Sequence, residues 1–132
     1  MAITLIHPQW GENRPIRGVL FDMDGLVLDS EILFSRFWRE ACGYYGFRMS
    51  YEQSLCMRAL GREQGQQILW DFFGPKADYN KIRSKRIELM DAYIAENGVA
   101  LKPGIRELMA YMKEEGIRSA ITSSSHLDRI QR

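Results

Sequence analysis

Cysteine, histidine and long apolar runs are scarce in this sequence. Its 132 residues include two cysteines and two histidines, and the 18 Lys and Arg residues nearly balance the 17 Asp and Glu residues. The cysteines, Cys42 and Cys56, form no CxxC pair and have no clustered histidines nearby, which argues against a zinc site. Both are expected to be small buried thiols in a reducing cytoplasm.

The charge balance and the lack of apolar runs exclude two classes of partner. A formal net charge of +1 gives no general attraction to nucleic acid or to an acidic membrane surface. No run approaches the roughly 20 apolar residues that span a bilayer. The opening Met-Ala-Ile-Thr-Leu-Ile lacks the basic start of a secretory signal. We therefore expect a cytoplasmic protein with no nucleic-acid or membrane partner.

The most informative segment is residues 17–30, RGVLFDMDGLVLDS. An apolar run at residues 19–21 ends at two acids, Asp22 and Asp24, and Gly25 then allows a sharp turn. Burying two carboxylates beside an apolar strand is costly unless a cation or a ligand compensates. Residues i and i+2 of a continuing strand share a face, so both acids could reach one substrate atom. The segment predicts a site that holds a divalent metal and attacks an electrophile.

Hydrophobic periodicity predicts a strand, a long all-helical excursion, a further helix and a second strand. Residues 1–15 are interpreted as an irregular leader. The continuous apolar character of residues 16–21 predicts a strand buried on both faces of a parallel sheet, and residues 117–121 predict the second strand. Apolar spacings of three and four residues that end at glycines predict the helices. These helices are expected at residues 31–44, 50–60, 62–73 and 80–96, and from Ile105 to just before Gly116.

Three segments resemble landmarks of the haloacid dehalogenase-like superfamily. Residues 22–31, DMDGLVLDSE, resemble its first motif, in the branch that holds β-phosphoglucomutase and the small sugar-phosphate phosphatases. Residues 102–104, Lys-Pro-Gly, resemble that branch's return to the core after a helical cap, and residues 121–124, Ile-Thr-Ser-Ser, resemble its second motif. The resemblance implies an α/β fold, with a Rossmann-like core whose parallel sheet is incomplete here and an inserted all-helical cap. It implies core segments at 16–30 and 99–132 and a cap at 31–98.

The resemblance also implies residue roles. Asp22 would be the nucleophile that forms an aspartyl-phosphate, and the side chain of Asp24 would protonate the leaving oxygen. The cofactor would be Mg²⁺, held by Asp22 and by the main-chain carbonyl of Asp24. Thr122 would bind the phosphate, together with the backbone N–H groups of Ser123 and Ser124.

Residues 57–62, MRALGR, resemble the cap segment that contacts the distal part of the substrate. Arg62 is the first candidate for a substrate phosphate or hydroxyl and Arg58 the second; a solvated arginine at a helix end is the competing interpretation. Phe34 stands where the mutase branch usually has a histidine, which favours a phosphatase. Asp24 argues against a dehalogenase, because dehalogenases generally lack the second acid.

The expected function is Mg²⁺-dependent hydrolysis of a small phosphorylated metabolite, such as a sugar phosphate. The alternatives are a β-phosphoglucomutase-like phosphotransferase and a truncated, non-catalytic protein of the same fold. The family's third motif, a lysine, and its fourth, an acidic strand end, would follow the second motif, beyond Arg132. Lys113 precedes the second motif and cannot replace that lysine. These 132 residues alone are therefore expected to be weak or inactive, and their incomplete sheet would favour self-association.

Other features have simpler interpretations. An EF-hand loop aligned on Asp22, Asp24 and Glu31 would begin at Leu20, where a carboxylate is needed, and would follow a strand instead of a helix. His7 and His126 are expected at the surface or in a helix cap. The serines after the second motif are expected to serve as both a helix cap and a phosphate cradle. The basic side of the fourth predicted helix is expected to be solvated; it consists of Lys81, Arg83, Lys85 and Arg86.

Overall fold

The computed structural model describes residues 4–5 and 14–123. Four strands lie at Thr4–Leu5 (β1), Arg14–Pro15 (β2), Gly18–Asp22 (β3) and Arg118–Thr122 (β4). Five helices lie at Ser30–Tyr44 (α1), Tyr51–Leu55 (α2), Arg62–Phe73 (α3), Tyr79–Asn97 (α4) and Ile105–Glu114 (α5). None of the described helices is long and apolar enough to cross a membrane.

The described chain divides into two compact units. One, the strand unit, is formed by the chain up to Asp29 together with the chain from Ala100 onward. The other, the helical unit, is Ser30–Val99 and contains α1 to α4. Both chain crossings between the units therefore occur next to the segments that carry the first motif and the re-entry sequence.

The strand unit is organised around a parallel pair of strands. β3 and β4 pair in the register Gly18 with Arg118 through Asp22 with Thr122. Its buried cluster is small: Phe21, Val27, Met112 of α5 and Ile117. The expectation that the first strand is buried on both faces is wrong, because Leu20 is 73% exposed. Neighbouring strand residues point to opposite faces, and the buried cluster formed by the described residues packs on the Phe21 side of β3.

The N-terminal leader is not wholly irregular. Thr4 and Leu5 pair antiparallel with Pro15 and Arg14, in a separate sheet from β3 and β4. Predicting this pair from sequence is difficult because each strand has only two residues and carries no periodicity.

The helical unit has the larger core. Side chains of α1, α3, α4 and the loops pack in one buried cluster that includes Trp38, Ala41, Leu69 and Ile82. A buried hydrogen bond of 2.5 Å joins the hydroxyls of Ser35 in α1 and Ser54 in α2. Because Ser54 Oγ donates to the carbonyl of Tyr51 at 2.6 Å, Ser35 is the donor in the pair.

Two expectations for the helical unit are corrected by burial. Cys42 is buried as expected, but Cys56, the C-cap residue of the short helix α2, is exposed. The basic side of α4 is not all solvated: Arg86 is 5% exposed, and its guanidinium lies 4.4 Å from the ring centre of Phe34. An arginine can be buried in this way when its planar group stacks on aromatic rings.

The observed ends of α2 and α3 show which residues set the helix boundaries. α3 begins and ends at the predicted residues, between Gly61 and Gly74. The second predicted helix, 50–60, is too long, since α2 ends at Leu55. Ala59 has a φ of 53°, in the left-handed region, so a right-handed helix cannot continue through it.

Candidate active site

The predicted nucleophile and the predicted phosphate-binding threonine lie at the carboxyl ends of the parallel strands β3 and β4. Asp22 and Thr122 are register partners and are the last residues of their strands. The hydroxyl of Thr122 donates to the carbonyl of Phe21 at 3.2 Å, and the N–H of Met23 donates to the carbonyl of Thr122 at 3.1 Å. The two motifs therefore meet at one edge of the sheet, where open parallel sheets bind their ligands.

A compact turn follows β3 and carries Asp24. The N–H groups of Val27 and Leu28 both donate to the carbonyl of Met23, at 3.1 and 2.9 Å. Gly25 closes the turn with a φ of 77° and donates its N–H to the carbonyl of Leu28 at 2.9 Å. The positive φ explains why glycine stands there.

The carboxylates of this site are accessible. Asp22 and Asp24 are both exposed, so the cost of burying two carboxylates beside an apolar strand does not arise in this structure. The exposure follows from their position, Asp22 at the last residue of β3 and Asp24 in the turn beyond it. An incoming ligand can therefore reach both acids from solvent.

The rest of the predicted phosphate cradle is only partly described. Ser123 is half-buried and is the last residue described, while Ser124 and His126 lie outside the described residues. His7 also lies outside them. The strand register therefore places Thr122 beside Asp22, and the contributions of Ser123 and Ser124 to phosphate binding stay predictions.

The donor atoms at this edge suit a hard divalent cation. A carboxylate and a main-chain carbonyl are oxygen ligands of the kind that Mg²⁺ prefers. Among the described residues, no group of three or more His, Cys, Asp or Glu side chains could enclose a metal ion. The residues fit an open site, in which Asp22 and the carbonyl of Asp24 would be the protein ligands and substrate and water would supply the others.

An ion pair that was not predicted from the sequence holds the end of the first motif. Lys102 Nζ lies 2.9 Å from Asp29 Oδ1, and the N–H of Asp29 donates to the carbonyl of Ala100 at 2.8 Å. The N–H of Lys102 donates to the carbonyl of Val27 at 2.9 Å. The sequence signal was present, since both residues belong to the segments that carry the resemblance, but nothing in the spacing indicated that they pair.

The two predicted cap arginines have different surroundings. Arg58 Nε lies 2.9 Å from Glu31 Oε2 of α1, so its guanidinium already has an anionic partner. Arg62 is exposed and is the first residue of α3, whose N-cap is Gly61 without a side-chain hydrogen bond. The structure therefore favours Arg62 over Arg58 as the side chain available to an external anion.

A cavity of about 310 Å³ lies elsewhere in the helical unit. None of the residues predicted to form the site lines it, and it is wide open to solvent. The lining residues are Arg39, Gly43, Gly46, Phe47, Arg48 and Met49.

Comparison with known proteins tests the resemblance. Residues 19–132 match the profile of the haloacid dehalogenase-like hydrolases. The chain belongs to this family. The family expected from the three motifs and the α/β fold class are thereby confirmed. The match covers both units of this haloacid dehalogenase-like chain.

Several relatives of this haloacid dehalogenase-like chain are named for phosphorylated carbohydrates. Hexitol phosphatase B of Escherichia coli K12 is 30% identical over 125 residues, which cover 90% of this chain and 54% of the relative. Protein CbbY of Cereibacter sphaeroides is 27% identical over 125 residues, covering 88% of this chain and 53% of the relative. The chain thus spans about half the length of the curated relatives it matches.

Solved structures give the same fold. CbbY from Rhodobacter sphaeroides in complex with xylulose-(1,5)-bisphosphate superposes with a TM-score of 0.61 at 27% identity, covering 85% of this chain and 52% of that one. A haloacid dehalogenase family hydrolase from Deinococcus radiodurans superposes with a TM-score of 0.68 at 22% identity, covering 88% and 50%. At that identity the second likeness supports the fold alone.

Proposed function

We propose that these residues belong to a Mg²⁺-dependent phosphomonoester hydrolase that acts on a phosphorylated sugar or polyol. The observation that carries the proposal is the register pairing of Asp22 with Thr122, because it brings the proposed nucleophile and the proposed phosphate-binding residue to one sheet edge. The names of the relatives, among them a hexitol phosphatase and a phosphorylated-carbohydrates phosphatase, support the substrate class.

In the proposed first step, a carboxylate oxygen of Asp22 attacks the phosphorus atom. The bond between phosphorus and the ester oxygen breaks, and Asp24 gives its proton to that oxygen as the alcohol leaves. The backbone N–H groups after Thr122 would hold the phosphoryl oxygens. The product is a phosphorylated Asp22.

In the second step, Asp24 takes a proton from water, and the water oxygen attacks the phosphorus of the acyl phosphate. The bond between phosphorus and the Asp22 oxygen breaks, which releases inorganic phosphate and restores both acids. The bound cation would supply the positive charge that lets a carboxylate approach a phosphate dianion.

Phe34 supports hydrolysis over the phosphotransferase alternative. Its ring packs edge-on against Trp38 at 6.2 Å between centroids and lies under the guanidinium of Arg86. The position that carries a histidine in the resembling mutases is thus part of an apolar and aromatic cluster here. A packed phenylalanine has no proton to transfer.

Substitution of the nucleophile tests the proposal. Asp22→Asn should lower Mg²⁺-dependent hydrolysis of an aryl phosphate by more than about a thousandfold, because an amide oxygen is a poor nucleophile. The assay uses both this chain and a longer protein that adds the other half of the family's length. We expect weak or no turnover from the 132-residue chain.

The matched control is Asp71→Asn, an exposed aspartate of α3 that is hydrogen-bonded to Gln67. It should keep full activity in the same assay. Turnover that survives Asp22→Asn at the control's level would overturn the assigned nucleophile.

We further propose a cytoplasmic location and self-association through the sheet. The free thiols Cys42 and Cys56 support a reducing compartment. Leu20 of β3 and Ile121 of β4 are 73% and 52% exposed, so each strand leaves an apolar side chain in contact with solvent. Analytical ultracentrifugation of the chain with Ile121→Lys should show less association than the unmodified chain.

A further inference from the structure

The turn at residues 57–62 is held at both ends and strained in the middle. Met57 is buried at 3% exposure, and Arg62 begins the regular helix α3. Between them, Ala59 has a φ of 53°, a left-handed conformation that costs a non-glycine residue about 1–2 kcal/mol. Such a conformation persists only when surrounding contacts fix it.

The far side of this turn is fixed by α3. Gln66 donates from Nε2 to the carbonyl of Ala77 at 2.7 Å and accepts from the N–H of Tyr79 at 3.0 Å, through Oε1. These two bonds join α3 to the segment before α4. The orientation of α3, and so of its first residue Arg62, is set by the body of the helical unit.

The near side of the turn is fixed by an ion pair with α1. Glu31, in the first turn of α1, lies 2.9 Å from Nε of Arg58, the residue directly before the strained Ala59. The two side chains are 39% and 43% exposed, so the pair is accessible but only partly solvated. It is a tertiary contact that connects two elements separated in sequence.

We propose that Glu31 is a positioning residue: its ion pair with Arg58 fixes the 57–62 turn so that Arg62 is presented to the distal part of the substrate. This rests on the proposed function for the role of Arg62 and goes beyond it by giving Arg58 and Glu31 a role apart from substrate contact. Arg58 is paired with Glu31, a carboxylate of the same chain, so Arg62 is the arginine of this turn that binds an external anion.

The first experiment measures the turn itself, in the 132-residue chain. Glu31→Gln should speed amide hydrogen exchange at residues 58–61 by about fivefold, the effect that loss of a partly exposed ion pair produces. The control is Glu40→Gln, which breaks the 2.7 Å pair of Arg36 and Glu40 on the same helix, with side chains 46% and 43% exposed. It should leave exchange at residues 58–61 unchanged.

A swapped pair separates positioning from general stability. The double variant Glu31→Arg with Arg58→Glu should restore slow exchange at residues 58–61, because the attraction is re-formed with its signs reversed. Equal exchange in Glu31→Gln, Glu40→Gln and the unmodified chain would overturn the proposal, as would a swap that restores nothing.

The second experiment measures, by titration calorimetry, the binding of glucose 6-phosphate to the longer protein of the activity assay and to its variants. Removing the negative charge of Glu31 should strengthen binding of an anion if Glu31 acts only through its charge. Positioning predicts the opposite sign: Glu31→Gln weakens binding by about threefold or more, and Glu40→Gln does not. Unchanged or tighter binding in Glu31→Gln overturns the proposal.

Arg62→Ala keeps the two proposals distinguishable. If the longer protein of the activity assay binds no glucose 6-phosphate, or its Arg62→Ala variant binds it equally well, the proposed substrate role of Arg62 fails. The hydrogen-exchange result then still decides whether Glu31 fixes the turn.

Discussion

At the scale of single residues, Cys42 shows how burial changes chemistry. Desolvation raises the pKa of its thiol to about 12 from the ordinary 9.0. Cys56 is exposed, so the two thiols of this chain differ in access although the sequence suggests the same environment for both. Burial depends on tertiary packing, which residue type alone does not determine. The expected burial is therefore confirmed for Cys42 and wrong for Cys56.

The raised pKa predicts a specific loss of stability in alkali. Below pH ~9 the thiol is protonated in both states, and its contribution is complete. As the pH rises toward ~12 the unfolded chain loses the proton first, so the free energy of unfolding falls by on the order of 1 kcal/mol per pH unit. Urea unfolding from neutral to alkaline pH should show this extra slope in the unmodified chain and in Cys56→Ala, but not in Cys42→Ala. An identical slope in Cys42→Ala would contradict it.

Residue pairs also show where sequence reasoning about the site stops. The adjacency of Asp22 and Thr122 was predictable, because parallel strands end at one edge of a sheet. The pairs Lys102–Asp29 and Arg58–Glu31 were not, since each depends on where two distant segments meet. The catalytic and binding roles of the named residues stay predictions until variants are assayed.

At the scale of elements, α3 and α4 approach closely at one glycine. A Cβ added to Gly65 would overlap the ring of Tyr79, which is 6% exposed and packed in the core. Glycine, which disfavours helix, is thus accepted as the fourth residue of α3 because any larger residue would push the two helices apart.

This contact predicts opposite effects for two glycine substitutions. Gly65→Ala should destabilise the chain by about 1–3 kcal/mol through overpacking. Gly43→Ala in α1, where a Cβ meets nothing within 4 Å, should stabilise it by up to about 1 kcal/mol. Urea denaturation of both variants is the measurement, and a neutral or stabilising Gly65→Ala would show that Tyr79 does not hold its position.

Element boundaries were predictable where the sequence carries a local stop. Gly61 and Gly74 bracket α3 at the predicted ends. Residues 50–60 contain no helix-ending glycine before Gly61. The helix is interrupted by the left-handed backbone conformation of Ala59, which the presence of an alanine does not predict. The leader strands β1 and β2 were missed because two-residue strands form through pairing alone.

At the scale of the whole molecule, the two units differ in how much they bury. Among the described residues, the helical unit has a buried cluster of nine residues and the strand unit has one of four. Every residue of β4 is exposed. Two strands with a partly packed face make a marginal sheet.

Native-state hydrogen exchange should therefore resolve the units. Amides of α1, α3 and α4 should exchange at least about tenfold more slowly than those of β3 and β4, because local opening is governed by buried contacts. Mass spectrometry of peptides from each unit gives the measurement. Equal protection in both would indicate one cooperative unit, contrary to this expectation.

The hydrogen bond between Asp29 and Ala100 has an evolutionary consequence. This bond joins the residue before the helical unit to the residue after it, and both of these residues belong to the strand unit. Whatever is inserted there starts and finishes at the same place, so its length and shape can vary without shifting β3 against β4. The proposed catalytic site on the strand unit and the helical unit between residues 29 and 100 can therefore change independently of each other during evolution.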